Sequence, residues 1–203
     1  MKLMKQAHLT CELREKKYHS YRGEVGKIAH NLLNRDFRAL RPNTKWTTDI
    51  TEFKLLGQKL YLSPIMDLFN REIISYTLSK SPNFHQITEM LRSAFQRLPD
   101  DTHLILHSDQ GWQYQMRSYQ KMLKDKGIRQ SMSRRGNCYD NCVMENFFGI
   151  LKSEFYHNKK FSSIEQFSKE LCDYIDYYNN RRIKVKLKGL SPVQFRTQSF
   201  IPT

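Results

Sequence analysis

The 203-residue chain has no stretch free of Asp, Glu, Lys and Arg that approaches the roughly eighteen residues of a bilayer span. Lys5 stands where a secretory signal needs an apolar run. Both absences argue against membrane-spanning and secreted classes and for a cytoplasmic protein. Cysteine is scarce, and without a secretory signal Cys11, Cys138, Cys142 and Cys172 read as reduced thiols, not a disulfide framework. Internal repeats and low-complexity tracts are missing, and aromatics at 12% are too frequent for a disordered basic tail. Acid is in short supply, with 20 Asp and Glu against 34 Lys and Arg for a net charge of +14. Residues 1–45 hold eleven cations and four acids, 46–157 hold fourteen and twelve, and 158–203 hold nine and four. Basic flanks around a nearly balanced centre suit a protein that grips a polyanion with its ends and does something else with its middle.

At this length one compact domain with appendages is expected. Residues 1–44 read as a basic segment or linker with a short helix near 25–34 and a breaker at Arg41-Pro42-Asn43. KWTTDITEFKL, KLYLSPIMDLF and REIISYTLS have the alternation and β-branching of three meander strands. Phe84 to Leu98 sets Ile87, Leu91, Ala94, Phe95 and Leu98 on one helical face, and THLILHSD is a nearly continuous apolar strand. Helices at 113–126, 139–156 and 163–180 and a strand at 128–132 complete the pattern. The order predicts an α/β protein whose mixed five-stranded sheet is flanked by helices, with a core over 45–160 and a C-terminal helix and basic tail over 161–203 packed on it.

Three carboxylates fall where strand ends or a helix would present them: Asp49 in the first strand, Asp109 directly after the buried strand, and Glu145 on the helix that follows. If the first and fourth strands are neighbours, Asp49 and Asp109 converge and a helix across that edge adds Glu145. Such a cluster is costly unless cations neutralise it, and hard ions such as Mg²⁺ take carboxylate oxygens. Two ions about 4 Å apart suit in-line phosphoryl displacement. Twenty acids also offer many accidental triples, but Asp109 lies in LILHSDQGWQY, where an α/β strand ends and ligands bind. Lys152, seven residues beyond Glu145, is expected on the same helical face to meet a phosphate.

KWTTDITEF, LHSDQGWQY and SMSRRGNCYDNCVMENFFGILKSEF together closely resemble the bacterial insertion-sequence transposases of the retroviral-integrase-like DDE type, made from the second reading frame of the element. Thirty-five residues separate Asp109 from Glu145, the spacing that names the family's signature, and Lys152 falls on its basic position. The resemblance runs from about Tyr18 to Phe195. It implies a ribonuclease-H-like fold, two Mg²⁺ or Mn²⁺ ions, DNA cleavage and strand transfer without a covalent enzyme intermediate, and Asp49, Asp109 and Glu145 as the metal ligands. It further implies that Lys152 contacts DNA, with the chain assembling as a homo-oligomer on element ends and target DNA at the nucleoid. Family members carry more chain before the region matching Met1 to Asn31, so end recognition is expected from an upstream-frame partner or fusion. Cys142 stands where many relatives have a small Ala.

The other readings are plainer. His103, His107, Cys138 and Cys142 could suggest a zinc knot, but on a strand the two histidine Cα atoms would lie about 13 Å apart, too far to share an ion. His107 reads as a hydrogen-bonded strand-end residue, with orientation of a carboxylate as its alternative. Asp67 is expected on a neighbouring strand near the site, and Asp140 as a helix cap. Trp46, Trp112, Tyr114, Phe147 and Phe148 read as packing before base stacking. Arg181, Arg182, Lys184, Lys186 and Lys188 form a run without acid, expected to contact DNA phosphates. Two alternatives to a transposase are a ribonuclease-H-like nuclease without transfer and a catalytically silent DNA-binding relic.

Overall fold

The computed structural model describes residues 26–100, 102–157 and 159–198. Its centre is a mixed sheet built from β1 (Lys45–Thr48), β2 (Thr51–Leu55), β3 (Gln58–Asp67), β4 (Ile73–Ser79), β5 (Ile105–Ser108) and β6 (Arg129–Met132). β3 pairs antiparallel with β1, β2 and β4, while β1–β5 and β5–β6 are parallel. The registers Thr48↔Ile65 and Thr51↔Leu62 are continuous, so β1 and β2 are one expected strand broken at Asp49–Ile50. The break coincides with a bond from the Ile50 N–H to the carboxylate of Asp49 (2.7 Å), which turns the peptide from the ladder. Six segments therefore occupy the five expected strand positions.

Alternation along β3 sends Leu60, Leu62 and Met66 to one face and Ile65 to the other. On the first face these residues meet Phe147 and Leu151 of α4 (Cys142–Leu151) and Phe167, Leu171 and Tyr178 of α5 (Ile164–Asn180). On the second, Ile65 joins Trp46, Leu104 and Leu106 against Ile87, Met90 and Leu91 of α1 (Phe84–Phe95), whose first turn is capped by Asn83. Both faces are covered, which is why the short parallel strand β5 is buried throughout. α6 (Pro192–Gln198) follows the basic tail. Among the described residues no helix is long and apolar enough to cross a membrane.

Three expected elements differ. The helix over 113–126 is split into α2 (Trp112–Gln115) and α3 (Arg117–Asp125), because Met116 is extended (ψ 138°) and the Gln115 amide donates back to the Gln110 carbonyl (2.6 Å). The helix over 139–156 begins as a 3₁₀ turn at Cys138–Asn141, and α4 passes into a π turn at Lys152–Tyr156. The described part of the 25–34 helix, residues 26–34, is instead an irregular strap along β6. The Leu32 N–H donates to Ser131 Oγ (2.9 Å) and the Gln120 amide to the Lys27 carbonyl (2.6 Å). At Gly26 the backbone of Gln115 comes so near that a Cβ would sit 2.1 Å from its carbonyl oxygen, so only glycine fits.

Candidate active site

The parallel pairing of β1 with β5 aligns Thr47 with His107. Two residues further on, just past the carboxyl ends of both strands, the same register sets Asp49 beside Asp109. Adjacent strands are about 4.8 Å apart, so two carboxylates at this edge repel strongly. Both side chains keep some surface open to solvent but are packed round by protein. Burial, then the charge of Asp109, pushes the Asp49 carboxyl up to about 8, and Glu145 adds a smaller repulsion. Burial likewise raises Asp109.

Neutral donors hold both carboxylates. Asp49 accepts from the Ile50 N–H and from the Asn141 side-chain amide (2.9 Å), and Asp109 accepts from the Gly111 N–H (2.9 Å). Glu145, exposed in the first turn of α4, lies within electrostatic reach of Asp49 but is not gathered into a tight cluster with it. Among the described residues no three His, Cys, Asp or Glu side chains are gathered tightly enough to hold a metal ion. The structure thus joins Asp49 to Asp109 and brings Glu145 within electrostatic reach of Asp49. Two carboxylates held by neutral donors offer the hard oxygens that a divalent cation takes.

Asp67 is not part of this group. It pairs in register with Trp46, at the opposite end of β1, where its carboxylate accepts from the N–H groups of Asn43 (2.7 Å) and Phe69 (2.9 Å). Asp140 is not a helix cap either. Its buried carboxylate receives the guanidinium groups of Arg134 and Arg35 and the Asn31 amide, and the bonds from Arg134 hold it far below the usual carboxylate range. His107 is a strand-end hydrogen-bonded residue, with Nδ1 at Ser131 Oγ (2.8 Å) and Nε2 at the Asp140 carbonyl (2.9 Å). Trp46, Tyr114, Phe147 and Phe148 are buried packing residues, and Trp112 is half-buried.

Lys152 lies at the start of the π turn, half-buried, its ammonium 5.6 Å from the Phe53 ring centre. The basic run is divided. Arg182 forms a two-pronged ion pair with Glu154, and Lys184 donates to Tyr178 Oη (2.6 Å) while lying 3.9 Å from that ring's centre. Burial, then the nearby Arg182 and Arg71 charges, pushes Lys184 down to about 7. Arg181 lies over Tyr177 and 3.5 Å from Asp176, and Lys186 and Lys188 are exposed. Asn141 and Asp140 are the residues whose importance the sequence hid. The one available signal was that Asn141 stands four residues, one helical turn, before Glu145.

Residues 39–138 and 145–200 each match an integrase core domain family. The chain is 54% identical over 201 residues to the Escherichia coli (strain K12) protein named as transposase InsK for insertion sequence element IS150, covering 99% of this chain and 71% of that one. It is 59% identical to a transposase-like protein of Haemophilus influenzae, covering 98% and 91% respectively. Among solved structures it is similar to a chain of the simian T-cell lymphotropic virus intasome (TM-score 0.67, 21% identity, 91% of this chain and 66% of that one). The catalytic core domain of HTLV-2 integrase in complex with magnesium is a second (TM-score 0.61, 17% identity, 78% and 99%). These structures share its ribonuclease-H-like fold. With sequence identity this high over nearly all its length, the chain belongs to the bacterial insertion-sequence transposases built on an integrase core.

Proposed function

We propose that Asp49, Asp109 and Glu145 are the catalytic carboxylates of this transposase and hold two divalent ions, Mg²⁺ or Mn²⁺, for cleavage of DNA at the element ends and strand transfer into target DNA. The observation that carries this reading is the parallel register that lays Asp49 beside Asp109 at the carboxyl edge of the sheet, where burial and mutual repulsion leave a demand for positive charge. Bound there, such ions supply Lewis acidity to an in-line phosphodiester displacement. The chain's own part is to present the carboxylates deprotonated and aligned: the Ile50 and Gly111 N–H groups and the Asn141 amide fix two of them, and α4 carries the third. That the HTLV-2 integrase core is in complex with magnesium supports the choice of ion.

DNA is gripped, in this proposal, by Lys152 beside the site and by the basic run, where Arg181, Lys186 and Lys188 lie at the surface and Arg182 and Lys184 set the loop through Glu154 and Tyr178. In this proposal residues 45–160 are the catalytic unit and 161–203 a C-terminal tail, of which the described part, 161–198, packs on it. The protein works as a homo-oligomer on DNA, with end recognition aided by an upstream-frame protein or fused segment. The test is a joining assay on a labelled duplex carrying the element end, with Mg²⁺, Mn²⁺ or chelator. Joined product that needs the ion is expected. Ion-dependent cutting with no joined product would instead favour a simple nuclease.

A further inference from the structure

We propose that Asn141 is a positioning residue for Asp49, and that Asp140 beside it is the anchor that keeps it in place. The inference rests on the reading of Asp49 as a metal ligand and extends it to the groups that set its orientation.

The Asn141 side-chain amide donates to Asp49 Oδ2 (2.9 Å), and its own oxygen lies 3.4 Å from the Thr47 hydroxyl. The reverse orientation would turn an amide oxygen against a carboxylate, so the assignment has an electrostatic reason. Asn141 is buried, and the Ile50 N–H occupies the other Asp49 oxygen. One donor on each oxygen fixes the plane of the carboxylate and leaves lone pairs on both free. The donors are neutral. An arginine in the same place would satisfy the charge that a metal ion is needed to satisfy; an amide orients the group without doing so.

Asn141 sits on a short 3₁₀ turn that has little stiffness of its own, and the residue before it supplies the rigidity. Asp140 receives the backbone N–H of Arg134 (3.0 Å), both ends of that guanidinium (2.9 Å each), Arg35 Nε (3.0 Å) and the Asn31 amide (3.0 Å). Its carbonyl lies 2.9 Å from His107 Nε2. The loop at 134, the strap at 31–35 and strand β5 thus converge on one buried residue whose neighbour grips Asp49. Docking of the strap is thereby coupled to the geometry of the site.

The experiment is a Mn²⁺ titration of the full chain without DNA, paired with thermal unfolding and with joining activity at low and high Mn²⁺. Asn141→Ala is expected to weaken Mn²⁺ binding about ten- to a hundredfold, the usual effect of removing a partner that orients a ligand. Its joining activity should recover at high Mn²⁺, and Asn141→Ser, which keeps a donor, should fall between it and the parent. Arg35→Ala, remote from the ions, should weaken binding in the same direction by a smaller factor. If Asn141→Ala lowers only the melting temperature and binds Mn²⁺ as the parent does, the positioning role is wrong. Should Asn141→Ala fail to fold, unchanged Mn²⁺ binding in both Asn141→Ser and Arg35→Ala overturns it equally. Asp49→Asn is the control: its loss of Mn²⁺ binding together with unchanged Asn141→Ala defeats the positioning role alone. Mn²⁺ binding by Asp49→Asn at parental strength defeats the ligand reading and the inference with it.

Discussion

Asp49 and Asp140 are linked through a single intervening residue, Asn141, yet their surroundings are opposite. Asp140 is met by two guanidinium groups, an amide and a backbone N–H, and its carboxyl is held far below the usual range. Asp49 is met by a second carboxylate and two neutral donors, and its carboxyl is pushed up to about 8. Among the described residues, one aspartate has more positive charge than it needs, and the other is paired with none. A fold that can place two arginines on Asp140 could place one near Asp49. On the proposed reading, the difference separates a carboxylate that holds the structure together from one kept in want of a cation.

The comparison breaks most visibly under substitution. Asp49→Asn, Asp109→Asn and Glu145→Gln each keep the shape and remove a charge that a hard cation needs. Each is expected to reduce cleavage and joining at least about a thousandfold, on the order of 4 kcal/mol of barrier, with melting temperatures in metal-free buffer equal to or above the parent's. Activity retained in any one of them removes that residue from the assignment.

Asp140→Asn should do the converse. Losing the charged acceptor of several bonds is expected to cost about 2–3 kcal/mol of stability by urea unfolding, the arginines being half exposed and able to recover water. The sign with pH follows from the depressed carboxyl. The stabilisation is fully present above the unfolded-state value near 3.9 and is lost as pH falls through the lower folded one, so the gap between parent and variant should be flat from pH 8 to 5 and narrow only below about 4. A gap that closes between pH 8 and 6 would contradict the assignment.

How much of this contrast was legible in the sequence depended on range. Asp109 announced itself because a continuous apolar strand runs straight into it, and Glu145 through its spacing. Sheet order made Asp49 its neighbour, as expected. Asp140 and Asp67 read as rivals outside the metal shell, but the bonding that holds them, to Arg35 and Asn43, lies 105 and 24 residues distant in the chain and was not legible. Local periodicity is blind to such partners. The same blindness produced a helix at 25–34, where Leu33 is buried but Ile28 and Leu32 are 47% and 42% exposed, a pattern of a strap with single anchors. The charge run at 181–188 concealed its division for a related reason, because a long lysine side chain can fold back onto Tyr178 and leave the surface.

That division gives two smaller effects. Neutralising Lys186 and Lys188 together should weaken binding to DNA of any sequence and lower the slope of log affinity against log salt by about 0.9 for each phosphate that is no longer neutralised. Lys184→Met should leave that slope nearly unchanged; an equal drop in both variants would mean that Lys184 swings out to DNA. In stability, too, Lys184→Met should differ from the parent, in a way that depends on pH. Because the folded lysine is pushed down to about 7 while the unfolded one binds its proton up to about 10.4, the parent gains stability as pH rises between these values. The variant should therefore be favoured most below pH 7 and lose its advantage by about pH 10, which thermal unfolding across that window reads directly.

The central claim, that Asp49, Asp109 and Glu145 hold the catalytic ions, is tested most directly by anomalous scattering from crystals soaked in Mn²⁺ at concentrations that support joining. Anomalous peaks between the Asp49 and Asp109 carboxylates, with Glu145 drawn in to ligate, are the predicted result. Peaks confined to other carboxylates, or none at the carboxyl edge of β1 and β5, would contradict it.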